Sequence, residues 1–246
     1  MFDTLPTVQV VDVIDRLYRR IDNLTEKQHP NIEKIKTVGD TYMAAAGLPL
    51  PTDTHACDMA YFAFALAAEL ACFNEKYHLG EKGQAGKLDY KIGISSGPVV
   101  AGVIGKKNPV YDLWGDAANT ASRMYSFGMK HRIQTTQETV DMIEDEFVCQ
   151  SRGRIQVKGK GLMECFFIMR PINSKDPLSA PPSTADAIVD ISSDPGEKGV
   201  VDGNEKTDSH LSKKKNKETI CPRKIKAQPI LEFQARQYRS CQQQTT

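Results

Sequence analysis

The sequence predicts an α+β fold in which helices pack on one face of a mostly antiparallel sheet, and three observations carry that prediction. Two long stretches, Leu5 to Gln28 and Asp53 to Tyr77, repeat apolar residues at helical spacing. Short apolar runs come instead in neighbouring pairs, separated by turns too tight for a helical crossover. The resulting order is helix, strand, strand, helix, strand, strand, helix and a closing hairpin, not a regular alternation of strand and helix.

In the first helix Val10, Ile14, Leu17, Ile21 and Leu24 alternate steps of four and three with charges between them, and Pro30 stops it. Ile32 to Val38 and Thr41 to Gly47 form a hairpin around Gly39-Asp40, closed by Pro49 and Pro51. The second helix places Ala63, Leu66, Ala67, Leu70, Phe73 and Tyr77 on one side, where the alanines allow close packing on a sheet. A polar, glycine-rich loop covers His78 to Gly86. The next apolar run ends at Gly97-Pro98, and Val99 to Ile104 begins at once. The turn Lys106-Lys107-Asn108-Pro109 leads into Val110 to Trp114. Gly115-Asp116 opens a helix, with Asp116 read as its N-cap and Gly128 as its C-terminal cap. Ile133 to Thr135 reads as a short strand and Gln137 to Ile143 as a short helix. Ser151 to Val157 and Met163 to Met169 are strands joined by Lys158-Gly159-Lys160-Gly161.

After Pro171 the character changes. Residues 172–246 are first rich in Pro, Ser, Asp and Gly, then carry a basic run of Lys213, Lys214, Lys215, Lys217, Arg223, Lys224 and Lys226. Their apolar density is too low to repay ordering entropy, so a disordered tail, acidic then basic, is expected behind a domain of residues 1–171. The basic run is either a solvated tail or a docking segment for a membrane surface or an acidic partner.

Composition excludes several classes. A net charge of +1 offers no electrostatic case for nucleic acid. The strands Ile32 to Val38 and Lys91 to Ile94 lack the aromatics of an RNA-binding sheet. No run approaches the roughly 18 consecutive apolar residues of a membrane helix, and MFDTLPTVQ shows neither the basic nor the apolar region of a secretory signal. Cysteines 57, 72, 149, 165, 221 and 241 form no CxxC pair, which fits reduced thiols on the cytoplasmic side. The stretch ending Gly105-Lys106 is not a phosphate loop, because Val100 stands where its first glycine belongs and Lys107 where its hydroxyl belongs.

What an ordinary core does not require is the set gathered between Lys91 and Met124: Asp112, Asn119 and Arg123, the last two one helical turn apart on one face. KIKTVGDTYMAAAGLP (Lys34 to Pro49), KIGISSGPVVAGVIG (Lys91 to Gly105), YDLWGDAANTASRM (Tyr111 to Met124) and VKGKG (Val157 to Gly161) together resemble, in order, the catalytic domain of class III nucleotide cyclases. The resemblance runs from about Leu5 to Met169 and implies a ferredoxin-like, split βαβ sheet. It implies attack of the ribose 3′-hydroxyl of a nucleoside triphosphate on its own α-phosphate, expelling pyrophosphate. Two Mg²⁺ or Mn²⁺ ions are expected in the complete family site, which lies between two cyclase domains of a homo- or heterodimer.

Carried onto this sequence, the resemblance implies the following roles. Asp40 is a metal ligand, although a turn residue is the plain reading of an acid after Gly39. Lys36 and Asp112 select the base; a donor-only lysine with an acceptor-only carboxylate suits adenine, hence ATP, where guanylyl members carry Glu and Cys. Asn119 orients the ribose, Arg123 binds the phosphate under attack, and Lys158 grips the triphosphate, with Lys160 a second candidate in that turn.

One part of the pattern is missing. The family's first strand, an F-x-D-I-x-G-F-T-like segment with the second metal aspartate, has no counterpart before Leu5, and Asp3 lacks that context. A vacant central strand, a marginally stable chain and an incomplete metal site are the expectations. Any membrane anchor is expected in a longer parent chain. The leading function is an adenylate cyclase; the alternatives are an incomplete cyclase-homology partner that supplies the nucleotide-binding half of a heterodimer, or a guanylate cyclase.

Overall fold

The computed structural model describes residues 7–77, 87–173 and 224–237, the last by backbone alone. Its elements in chain order are α1 (Thr7–Gln28), β1 (Ile32–Val38), β2 (Thr41–Ala46), α2 (His55–Lys76), β3 (Leu88–Ile104), β4 (Val110–Trp114) and α3 (Asp116–Ser126). β5 (Ile133–Thr136), α4 (Gln137–Ile143), β6 (Phe147–Val157), β7 (Gly161–Pro171) and β8 (Lys224–Gln237) complete them. The strands lie in the order β1-β2-β8-β3-β5-β7-β6, with β4 paired to β3 off this path. All neighbours are antiparallel except β3 and β5.

The run TYMAAA is buried on both faces, which is what places β2 in the interior of the sheet. Alternation splits its side chains. Tyr42, Ala44 and Ala46 join Ile92 and Ile94 against Leu17, Ile21 and Leu24 of α1 and Met59, Phe62, Leu66, Leu70 and Phe73 of α2. Met43 and Ala45 face a second cluster with Ile35, Val99, Leu113, Ala117 and Ala121. Helices therefore cover both faces, α1 and α2 on one and α3 on the other, where the sequence alone pointed to one. α2 is long and apolar enough to cross a membrane by length and composition, yet its apolar residues build this core.

Two expectations are corrected. The runs before and after Gly97-Pro98 are one strand of 17 residues, because a register shift between Gly97 and Val99 absorbs the proline that reads as a break. The central strand is not vacant, and residues 224–237, expected within a structureless tail, form it. β8 pairs with β2 from Thr41↔Gln234 to Ala45↔Ile230 and with β3 from Leu88↔Gln237 to Val100↔Lys224. The premise of a marginally stable open sheet falls with this, and the acidic half of the tail lies outside the described residues.

α3 sits unusually close to β3. A Cβ added at Gly93 would stand 2.5 Å from the Ala121 carbonyl oxygen and 2.7 Å from Tyr125 Cα, so backbone packs on backbone. At Gly97 the added Cβ would stand 3.1 Å from Ala117 Cβ. Gly93→Ala is expected to lower the unfolding free energy by at least the ~1–3 kcal/mol typical of overpacking, read as a lower urea midpoint at unchanged m-value.

Candidate functional site

Lys36 reaches the site through a defect in β1. The register slips between Lys34↔Ala44 and Lys36↔Met43, and such a bulge re-aims the side chains that follow it. Asp112 comes from β4, opposite Gly102. The two meet: Lys36 Nζ lies 2.6 Å from Asp112 Oδ2, with the lysine 35% and the aspartate 23% exposed. The other carboxylate oxygen, Oδ1, accepts the Leu113 backbone N–H at 2.8 Å, which fixes the orientation of the acid. Residues 76 positions apart in the chain thus form one half-buried donor–acceptor pair.

Asn119 and Arg123 stand on α3, whose Ala117, Thr120, Ala121 and Met124 are buried against the sheet. Asn119 is exposed and Arg123 half-buried on the remaining sides of the helix. The start of α3 is pressed onto β3 at Gly115, where an added Cβ would lie 2.6 Å from the Pro98 carbonyl oxygen. Asp116 is not the cap that the sequence indicated: no side chain caps this helix, and Asp116 pairs instead with Lys160. That ion pair ties the β6–β7 turn to the start of α3. Lys158, two residues earlier on this turn, is exposed and has no ion pair among the described residues.

Asp40 follows Gly39, whose φ of +59° provides the turn between β1 and β2. Tyr18 of α1 holds this turn, its hydroxyl donating to the Gly39 carbonyl at 3.0 Å. Burial, and after it the charge of Asp40, push the Tyr18 phenol well above its usual range, so it stays a proton donor. Sequence alone did not single out Tyr18, because nothing local to α1 pairs it with the turn at Gly39. Among the described residues no group of three or more His, Cys, Asp or Glu side chains converges in a way that could hold a metal ion. Of the two metal aspartates that the resemblance implies, the described residues include Asp40 alone.

Comparison with known proteins identifies the family and the fold. Residues 2–170 match the model of the adenylate and guanylate cyclase catalytic domain. The chain belongs to this family of nucleotide cyclases. Within it, an adenylate cyclase of Mycobacterium tuberculosis is 37% identical over 179 residues, 72% of this chain and 38% of that protein. The guanylate cyclase soluble subunit beta-2 of Rattus norvegicus is 34% identical over 178 residues, 72% of this chain and 25% of its own length. The chain thus spans well under half the length of these relatives. The guanylate cyclase domain of RhGC from Catenaria anguillulae, solved in complex with GTP, superposes with a TM-score of 0.60 at 29% identity, over 69% of this chain and 88% of that one.

The Lys36–Asp112 contact is open to direct measurement. In a double-mutant cycle of Lys36→Ala and Asp112→Ala on thermal stability, a coupling of about 0.5–1 kcal/mol is expected for a pair this exposed. Additive effects would show that the two do not meet in solution.

Proposed function

We propose that this chain is an adenylyl-type cyclase domain that binds ATP at a site shared with a second cyclase domain. There the ribose 3′-oxygen attacks the α-phosphorus, its proton is lost, and the bond to pyrophosphate breaks, giving 3′,5′-cyclic AMP. The Lys36–Asp112 contact carries this reading. When a base enters, the lysine can donate to adenine N1 and the carboxylate can accept from the exocyclic amine, replacing the bond they make to each other. Guanylyl relatives match the chain as well, so GTP is the competing substrate.

The other residues act downstream of the base. Asn119 holds the ribose so that its 3′-oxygen faces the phosphorus, an orientational contribution. Arg123, one turn further along α3, presents a planar cation to the charge that builds on the α-phosphate. Lys158 takes the triphosphate tail, while Lys160 is occupied by Asp116. Val103, Ile104, Val110 and Trp114 leave an exposed apolar ribbon on β3 and β4, a surface suited to cover by the second domain.

ATP is expected to displace a fluorescent nucleotide from the full chain at least tenfold better than GTP, with Asp112→Ala removing most of that preference. Equal competition would refute the adenylyl assignment. In cyclic AMP assays with Mn²⁺ and a complementing domain that bears both metal-site carboxylates, Arg123→Ala is expected to lower kcat by about 10²–10³ with KM little changed. An undiminished rate would remove Arg123 from the site.

A further inference from the structure

The register shift in β1 decides which way Lys36 points. Residues opposite each other in an antiparallel ladder project from the same face of the sheet. Lys34 is opposite Ala44, which faces the cluster under α1 and α2. Lys36 is opposite Met43, which faces the second cluster. Strict alternation would put Lys34 and Lys36 on one face. The shift instead puts Ile35 and Lys36 together on the second face, and Ile35 is buried in that cluster. Were the shift to anneal by one residue, Lys36 would turn toward α1 and away from Asp112.

Two residues of α1, one helical turn apart, hold β1 on either side of this shift. Upstream of it, Lys34 Nζ donates to both carboxylate oxygens of Asp22, at 2.8 Å to Oδ1 and 2.6 Å to Oδ2. The same Oδ1 accepts the Tyr42 hydroxyl at 3.0 Å. Tyr42 is fully buried and lies opposite Thr37, the residue after Lys36. Burial, and after it the charge of Asp22, raise its phenol well above the usual range, which keeps it a proton donor. The Lys34 ammonium also stands 5.3 Å from the centre of the Tyr42 ring. Downstream of the shift, Tyr18 donates to the Gly39 carbonyl, and its ring lies 5.8 Å from that of Tyr42. Asp22 thus grips both sides of the shift, and Tyr18 fixes the turn that follows it.

We infer that Asp22 and Tyr18 are positioning residues for the nucleotide site: from α1 they lock the register shift that puts Lys36 on Asp112. They act through Lys34, Tyr42 and Gly39, and reach Lys36 by way of the strand. The Lys34–Asp22 pair is over one-third exposed, so it adds little to the stability of the fold, and its main effect is on where Lys34 is held. The inference deepens the proposed reading of the Lys36–Asp112 site and rests on it for the nucleotide preference alone. The register is independent of any nucleotide.

The Lys36→Ala and Asp112→Ala cycle, read from urea unfolding of the full chain and repeated in variant backgrounds, tests the lock. Asp22→Asn keeps the size of the side chain and an acceptor for Tyr42, and gives up the charge that holds Lys34. The natural sequence is expected to show a coupling of about two- to fivefold in the unfolding equilibrium constant. Asp22→Asn is expected to bring that coupling below about 1.5-fold, and Tyr18→Phe to reduce it as well. Ile21→Val, a core substitution on the same helix, is expected to lower stability and leave the coupling unchanged. No coupling in the natural sequence, or full coupling in both Asp22→Asn and Tyr18→Phe, overturns the inference. Loss of coupling in Ile21→Val does so too, because any loosening of α1 would then suffice. In nucleotide competition, Asp22→Asn is expected to lower the preference for ATP over GTP at least about threefold, with Ile21→Val without effect. A preference unmoved by Asp22→Asn would break the link from the lock to the base. A natural sequence that shows the coupling but no ATP preference would refute the adenylyl assignment instead, so the two failures are told apart.

Discussion

Pairing across the centre of the sheet is the constraint on which the rest of the molecule depends. β2 is buried on both faces and must be hydrogen-bonded on both edges, with β1 on one side and β8 on the other. β3 has the same need, and nearly everything functional hangs from it. α3 packs onto it at Gly93 and Gly97, β4 pairs with its second half, and Gly115 touches it at Pro98. A loosened β3 would move Asp112, Asn119 and Arg123 together. Strand 224–237 is therefore as much a part of the site as the residues that would touch a nucleotide, though it is far from them in sequence.

The site is assembled from ion pairs that differ in what they can give up. Lys36 and Asp112 are about one-third and one-quarter exposed, a setting in which an ion pair is worth no more than about 1 kcal/mol. A pair held this weakly would cost little to open if, as proposed, a purine edge offers each partner a hydrogen bond in exchange. Asp116 and Lys160 serve a different purpose. They fasten a glycine-flanked turn to a helix start, and Lys158, which has no ion pair among the described residues, sits on the fastened turn. Tyr18 does similar work at Gly39 with a neutral hydrogen bond.

Much of this was legible in the sequence. The amphipathic spacing of α1, the hairpin around Gly39-Asp40 and the one-turn separation of Asn119 from Arg123 are local patterns, and local patterns survive without a structure. What was not legible is long-range or depends on backbone proximity. Gly97-Pro98 reads as a break because proline removes a ladder donor, but a bulge absorbs it. Asp116 has the residue type of a cap, yet its carboxylate finds a lysine 44 positions away. β8 was hidden most completely. Its alternation of Ile230, Glu232 and Gln234 with Leu231 and Phe233 is short, follows a basic polar stretch and contains a proline, so composition spoke for a tail. Only two open edges, built from residues more than a hundred positions earlier, make that segment a strand.

The distribution of charge argues that the two halves of such a site need not be alike. Here three of the acids near the functional elements are matched: Asp112 by Lys36, Asp116 by Lys160, and Asp89 by Lys130 and His131. Among the described residues Arg123 and Lys158 have no ion-pair partner, and their charge favours a polyphosphate nearby. An in-line displacement on a phosphate asks for positive charge on both sides of the reacting phosphorus. A face rich in guanidinium and ammonium groups supplies one side, and ions held by carboxylates on an opposing face supply the other.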